Sequence, residues 1–122
     1  MLKELEREKR ILERTYHDRM DVYRYRLVRD VESGESRQEQ VPVYENRRCA
    51  LDLSGNGAPE KGTVADAVST GGTLFADPGI LLKENDLAVV RTVSGQVYEG
   101  RTGRTYAVLN HGETPLKIEK VV

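Results

Sequence analysis

Asp21-Val-Tyr-Arg-Tyr-Arg-Leu-Val-Arg-Asp30 is the stretch on which the fold turns. Val22, Arg24, Arg26 and Val28 alternate with Tyr23, Tyr25, Leu27 and Arg29. A period of two in β-branched and aromatic residues is the pattern of a pleated strand. Upstream the period is helical. Leu2, Leu5, Leu12 and Tyr16 fall on one helical face over residues 1–19, with the stem of Lys9 inside the stripe and Glu6 and Arg10 as a favourable pair. Downstream, Ser33-Gly34-Glu35 predicts a hairpin loop. A second strand is expected from about Arg37 to Leu53, with Pro42 at an edge or bend. There Cys49, Leu51 and Leu53 alternate with Arg48, Ala50 and Asp52, so Cys49 points inward as a small core residue.

Residues 54–72 differ in kind. Glycines 55, 57, 62, 71 and 72 with Pro59 make this a long loop, and long loops in compact domains are functional or mobile. Strand signals then return at Leu74–Ala76, Leu87–Val93, Gln96–Glu99, Thr105–Asn110 and Leu116–Val122. Asp77-Pro78-Gly79, Lys83–Asp86 and Ser94-Gly95 mark the turns between them. On the last strand Leu116, Ile118 and Val122 are expected to share a face. Five to seven short strands with glycine-containing turns and one leading helix predict a mainly β domain, a small barrel or sandwich, over residues 1–122.

Composition narrows the function. The chain has 122 residues, 19 Lys and Arg against 20 Asp and Glu, and a net charge of -1. That balance lacks the basic excess of a dedicated nucleic-acid binder. One cysteine permits no internal disulfide, and His17 and His111 have no neighbour at metal-ligand spacing. No stretch reads as a signal peptide or membrane span, so the cytoplasm is the expected compartment. Gly95–Thr102 imitates the P-loop spacing, with Arg101 in the lysine position, but Gly103 and a strand follow where a helix N-terminus is required. No catalytic, cofactor-binding or metal-binding residue is expected. The strongest binding signal is the run Tyr23, Arg24, Tyr25 and Arg26 with the Arg47-Arg48 pair, a candidate partner or nucleic-acid face, since bases stack on tyrosine and phosphates pair with arginine.

The order of these features resembles that of phage head completion, or head-closure, proteins of head-to-tail connectors. It is similar in particular to the YqbH/XkdH proteins of Bacillus PBSX-like and skin prophage elements. The resemblance rests on DVYRYRLVRD (Asp21–Asp30), NRRCALDLS (Asn46–Ser54), the segment Leu74–Val90 after the glycine-rich stretch, and the closing hairpin Gly103–Val121 with His111. Asn85 stands before Asp86 where such proteins commonly carry glycine, and asparagine also visits positive φ. The resemblance implies a small β-barrel with a long inserted loop. It implies a subunit that is monomeric in isolation and joins a ring in the virion, between the portal or adaptor and the tail-side proteins. The loop, with Ser54, Asn56, Gly57, Lys61, Gly71 and Gly72, would face the channel and contact packaged DNA. The alternative is a small OB-like nucleic-acid-binding barrel. A small hydrolase using scattered acids and His111 has the least behind it.

Overall fold

A computed structural model describes residues 2–53 and 71–122. Helix α1 spans Leu2–Glu13, shorter than the expected 1–19. Its end has a local cause: the Thr15 amide and hydroxyl both bond the Leu12 carbonyl, at 2.9 and 2.6 Å, closing the last turn. Of the expected stripe, Leu5 and Leu12 are half-buried with Lys9 beside them and Tyr16 is buried beyond the helix end, but Leu2 is exposed. Lys9 reaches Asp77 at 3.6 Å.

Strand β1 (Asp18–Arg29) follows at once. Its early start is tertiary in origin. The Asp18 carboxylate accepts the amides of Leu51 at 2.9 Å and Val93 at 3.0 Å, so two other segments hold this residue extended. The remaining strands are β2 (Ser36–Asp52), β3 (Gly71–Ala76), β4 (Leu87–Arg91), β5 (Val97–Thr102), β6 (Tyr106–Ala107) and β7 (Gly112–Val121). Gly71 and Gly72, expected in the loop, therefore open β3. Only Tyr106 and Ala107 of the expected Thr105–Asn110 strand pair as β6.

The sheet order β3-β2-β1-β4-β5-β7 is closed by pairing of β3 with β7, giving a six-stranded barrel with β6 added beside β7. Every pairing is antiparallel. Closure depends on β7 serving two neighbours. Its first part, Gly112–Lys117, pairs with β3, and Leu116–Val121 pairs with β5. A closed barrel removes the free edges of a small sheet.

Alternation fills the interior. Met20, Val22, Cys49, Leu74, Ala76, Ala88, Val90, Tyr98, Leu116 and Ile118 all point inward, and Ile80 and Leu82 from the β3–β4 connection join the same core. Burying each large aliphatic chain contributes about 1.5–3 kcal/mol. The buried Thr114 hydroxyl is satisfied by Thr105 at 2.7 Å, and Thr105 in turn accepts the Leu82 amide. A side chain on Gly100 would collide with the Lys117 carbonyl, so β5 and β7 approach closely only because this residue is glycine.

A bulge corrects one expectation. Gly100 opposes Ile118, but Glu99 opposes Lys120, leaving Glu119 unmatched. One extra residue inverts the faces beyond it. Val121 therefore packs on the core opposite Tyr98, and Val122 is 54% exposed.

Cys49 is fully buried, and burial is the main cause that pushes its thiol up to about 12, with the Asp18 charge adding to it. Thiolate is the reactive form. A thiol reagent at pH 8 is expected to leave native protein unlabelled and to label Cys49 only at the rate of unfolding, as read by mass spectrometry across a urea series. Fast stoichiometric labelling without denaturant would contradict this core.

Candidate functional site

β1 pairs with β4 only over Arg19–Tyr23, and β2 pairs with β3 only over Ala50–Asp52. The β1–β2 ladder nevertheless continues from Arg24↔Val41 to Arg29↔Ser36. Among the described residues this part of the hairpin is therefore a two-stranded arm that leaves the barrel. Pro42 sits at its root, opposite Tyr23 and beside a register shift, where β2 has no second neighbour among the described residues. The arm carries Leu27 at 69% exposure and Val31, at its tip, at 97%.

The arm root is held on both faces. On the inner face the Arg24 guanidinium grips Asp86 through two bonds, Nε to Oδ1 at 3.0 Å and Nη2 to Oδ2 at 2.9 Å. Asp86 is 1% exposed and also accepts the Lys83 amide at 2.9 Å. On the outer face Arg101 stacks 4.9 Å from the centre of the Tyr25 ring and donates to its hydroxyl at 2.9 Å. Such a contact is worth about 0.5–2 kcal/mol.

These contacts divide the residues of the expected partner face between two sides of the strand. Tyr23 and Tyr25 lie on one side of β1, while Arg24 and Arg26 lie on the other, because a strand alternates. Arg24 has its charge committed to Asp86. The four residues do not form one basic aromatic surface. Ser54, Asn56, Gly57 and Lys61 lie outside the described residues. Gly71 and Gly72 are strand residues opposite Lys117 and Leu116. His111 lies between Asn110 at 2.7 Å and Glu113 at 3.0 Å, beside the Phe75 ring.

The structure instead builds a site around the Arg47-Arg48 pair. An open cleft of about 520 Å³ is lined by Tyr16, Arg19, Tyr44, Asn46, Arg47, Arg48, Asp77, Gly79 and Ile80. A second bulge shapes it. Met20 opposes Arg47 but Val22 opposes Tyr44, so Glu45 and Asn46 together face Asp21. Asn46 takes the left-handed conformation, with φ of 49°, which asparagine tolerates better than most residues. The bulge keeps Tyr44 and Arg47 on one face although they are three positions apart. The Arg47 guanidinium lies 5.8 Å from the Tyr44 ring centre. The Tyr44 hydroxyl is fixed by the Leu81 backbone, accepting its amide at 3.1 Å.

Arg19 and Arg48 are direct cross-strand partners. Like charges in that position are destabilising. No carboxylate among the described residues lies within ion-pair distance of Arg19, Arg47 or Arg48. Arg19 instead donates to the Asn46 carbonyl at 3.3 Å. Asp77 is the acid in the cleft, paired with Lys9 and accepting the Gly79 amide at 2.8 Å. The site is thus a positive cleft with an apolar floor of Tyr16 and Ile80. It suits a carboxylate or phosphate carried on a partly apolar group. Arg47 and Arg48 stood out in the sequence. Arg19, Tyr16 and Tyr44 did not, and the one local signal for them is the broken alternation at Glu45-Asn46.

Comparison of the chain with family models, curated proteins and solved structures found no significant match.

The bulge under the cleft is held by Asp21, which accepts the Asn46 amide at 2.7 Å and the Arg91 guanidinium at 2.6 Å. The Arg91 bond, chiefly, holds the Asp21 carboxyl below the ordinary carboxylate range; burial opposes it, and the Asn46 amide and Arg91 charge reinforce it. A carboxylate with a depressed folded pKa stabilises above its unfolded pKa, about 3.9, and loses that contribution as pH falls through the folded value. Wild type is therefore expected to exceed Asp21→Asn in stability at pH 7, with the gap shrinking below about pH 4. Urea unfolding at a series of pH values reads this. A gap independent of pH would show that Asp21 is not an ionised anchor.

Proposed function

We propose that this chain is a structural subunit of a phage or prophage virion, joining the DNA-filled head to the tail as a head-closure ring component. The observation that carries the proposal is the β1–β2 arm. A two-stranded ribbon is marginal in water by itself, yet this one is gripped at its root by Arg24–Asp86 and Tyr25–Arg101 and presents Leu27 and Val31 to solvent. Exposed apolar residues on a supported projection suit contact with another protein. A ring subunit needs two unlike faces, one for each neighbour, and the arm and the arginine cleft are such a pair. The sequence resemblance points to the same assembly, with portal or adaptor and tail-side proteins as partners. The role is architectural and needs no cofactor or catalysis. It places the protein in the cytoplasm during assembly and then at the head–tail interface, in contact with packaged DNA.

The second reading, an OB-like nucleic-acid module, is favoured by Arg19, Arg47 and Arg48 beside Tyr44, whose charges pair with no carboxylate among the described residues. Under it, single-stranded DNA binds with steep salt dependence, and Arg47→Ala with Arg48→Ala weakens binding.

Deletion of the gene from a phage or prophage that carries it, followed by induction and electron microscopy, separates the readings. The connector reading predicts full-length tails beside unattached heads, with joined particles restored by the wild-type gene. It also predicts no rescue by a variant that folds normally but has Arg26 joined to Glu39 by a short turn. Joined, DNA-filled particles at wild-type frequency in the deletion strain would remove the connector function.

A further inference from the structure

The geometry points to a head-to-tail interface in which the arm tip of one copy enters the arginine cleft of a second copy of this chain. This deepens the connector reading, which supplies the ring, by naming the two surfaces that meet.

The tip is a defined shape. The Asp30 amide donates to the Glu35 carbonyl and the Gly34 amide to the Asp30 carbonyl, each at 2.8 Å. The Asp30 carboxylate accepts the Glu32 amide at 2.9 Å, and Gly34 takes positive φ. The turn therefore presents Val31, Glu32 and Glu35 outward from a closed loop. Glu32 and Glu35 have no cation within ion-pair distance among the described residues. The tip thus carries three acids, Asp30, Glu32 and Glu35, around one apolar residue. The cleft carries three arginines, Arg19, Arg47 and Arg48, around an apolar floor of Tyr16 and Ile80. Charge sign matches, and each surface combines its charges with an apolar group.

The two surfaces cannot meet within one molecule. Arg19 lies near the start of β1, and Asp30 follows its end. At about 3.3 Å per residue the intervening strand separates them by roughly 35 Å. Pairing with β2 keeps the strand extended over that span, with register shifts between Met20 and Tyr23. The tip must therefore be received by another copy, and each copy then offers its own tip onward. Passed on head to tail, such contacts produce a closed ring or an open chain, whereas reciprocal exchange between two copies would give a two-fold dimer.

Filling the cleft would place carboxylates beside Arg19 and Arg48, relieving their cross-strand repulsion, and would cover Val31. Interfaces built on a few such groups are weak in the isolated protein and strengthened by ring closure.

Sedimentation velocity on purified full-length protein tests this without any phage. At high micromolar concentration and about 50 mM salt, the weight-average mass is expected to rise above that of one chain with concentration. It is expected to fall back at about 1 M salt, where the Debye length is about 3 Å. A tip variant (Glu32→Arg with Glu35→Arg) and a cleft variant (Arg47→Glu with Arg48→Glu) should each stay at the mass of one chain, because tip and cleft then carry like charge. Their equimolar mixture should regain association, since each tip again meets a cleft of opposite sign. A wild-type protein that remains single at the highest concentration overturns the inference, as does association unchanged in either variant. Single-stranded DNA bound by monomeric wild type and lost in the cleft variant would assign the cleft to nucleic acid and overturn it too. Failure here leaves the particle phenotype untouched, so the connector reading and this interface stand or fall separately.

Discussion

Asp86 is the point on which the architecture hangs. Its carboxylate is almost wholly removed from water and is satisfied by the Arg24 guanidinium and the Lys83 amide. Its backbone carbonyl accepts the Thr102 amide, Thr102 returns its carbonyl to Asn85, and the Thr102 hydroxyl closes on Lys83. One residue thus ties together the start of β4, the end of β5 and the place on β1 where the sheet stops and the arm begins. A buried carboxylate is tolerable only when paired and hydrogen-bonded. The interaction constrains the chain because its partial loss would be costly.

The arm's independence follows from that anchor. Beyond Tyr23 no strand among the described residues pairs with β1 except β2, so the ribbon draws its order from its own ladder and from its root. The Arg24 grip on the inner face and the Tyr25–Arg101 stack on the outer one fix the root. At the opposite end of β1, the bulge at Asn46 turns Arg47 over Tyr44 and opens the cleft. One long hairpin therefore carries an acidic tip at one end and a basic cleft at the other.

Strand parity made much of this legible. Alternation over Asp21–Asp30 located β1 and separated its faces correctly, and it placed Cys49 in the core. Asn85 at positive φ before Asp86 was readable as a turn. Parity failed where a bulge intervened. Glu119 inverted the last residues of β7, so Val121 and not Val122 packs inward. Propensity failed at Thr15–Arg19, where the amides of Leu51 and Val93 impose an extended start on β1 through Asp18. The division of the candidate residues Tyr23–Arg26 was hidden for a third reason: the partner that takes up the charge of Arg24 lies 62 residues away. Arg47 and Arg48 were visible as a charge pair, but Arg19 and Tyr44 join them only through cross-strand register.

The central claim is that Arg24 and Asp86 act as one unit, and a double-mutant cycle measures this most directly. Urea unfolding would compare wild type with Arg24→Met, Asp86→Asn and the double variant. Removing Arg24 strands a buried carboxylate and should cost about 3 kcal/mol, the low end for a buried pair because Arg24 keeps 28% exposure. The double variant should recover much of that loss, giving a coupling of about 2 kcal/mol. A loss under about 0.5 kcal/mol for Arg24→Met, with no coupling, would mean that the barrel and its arm are held together by something else.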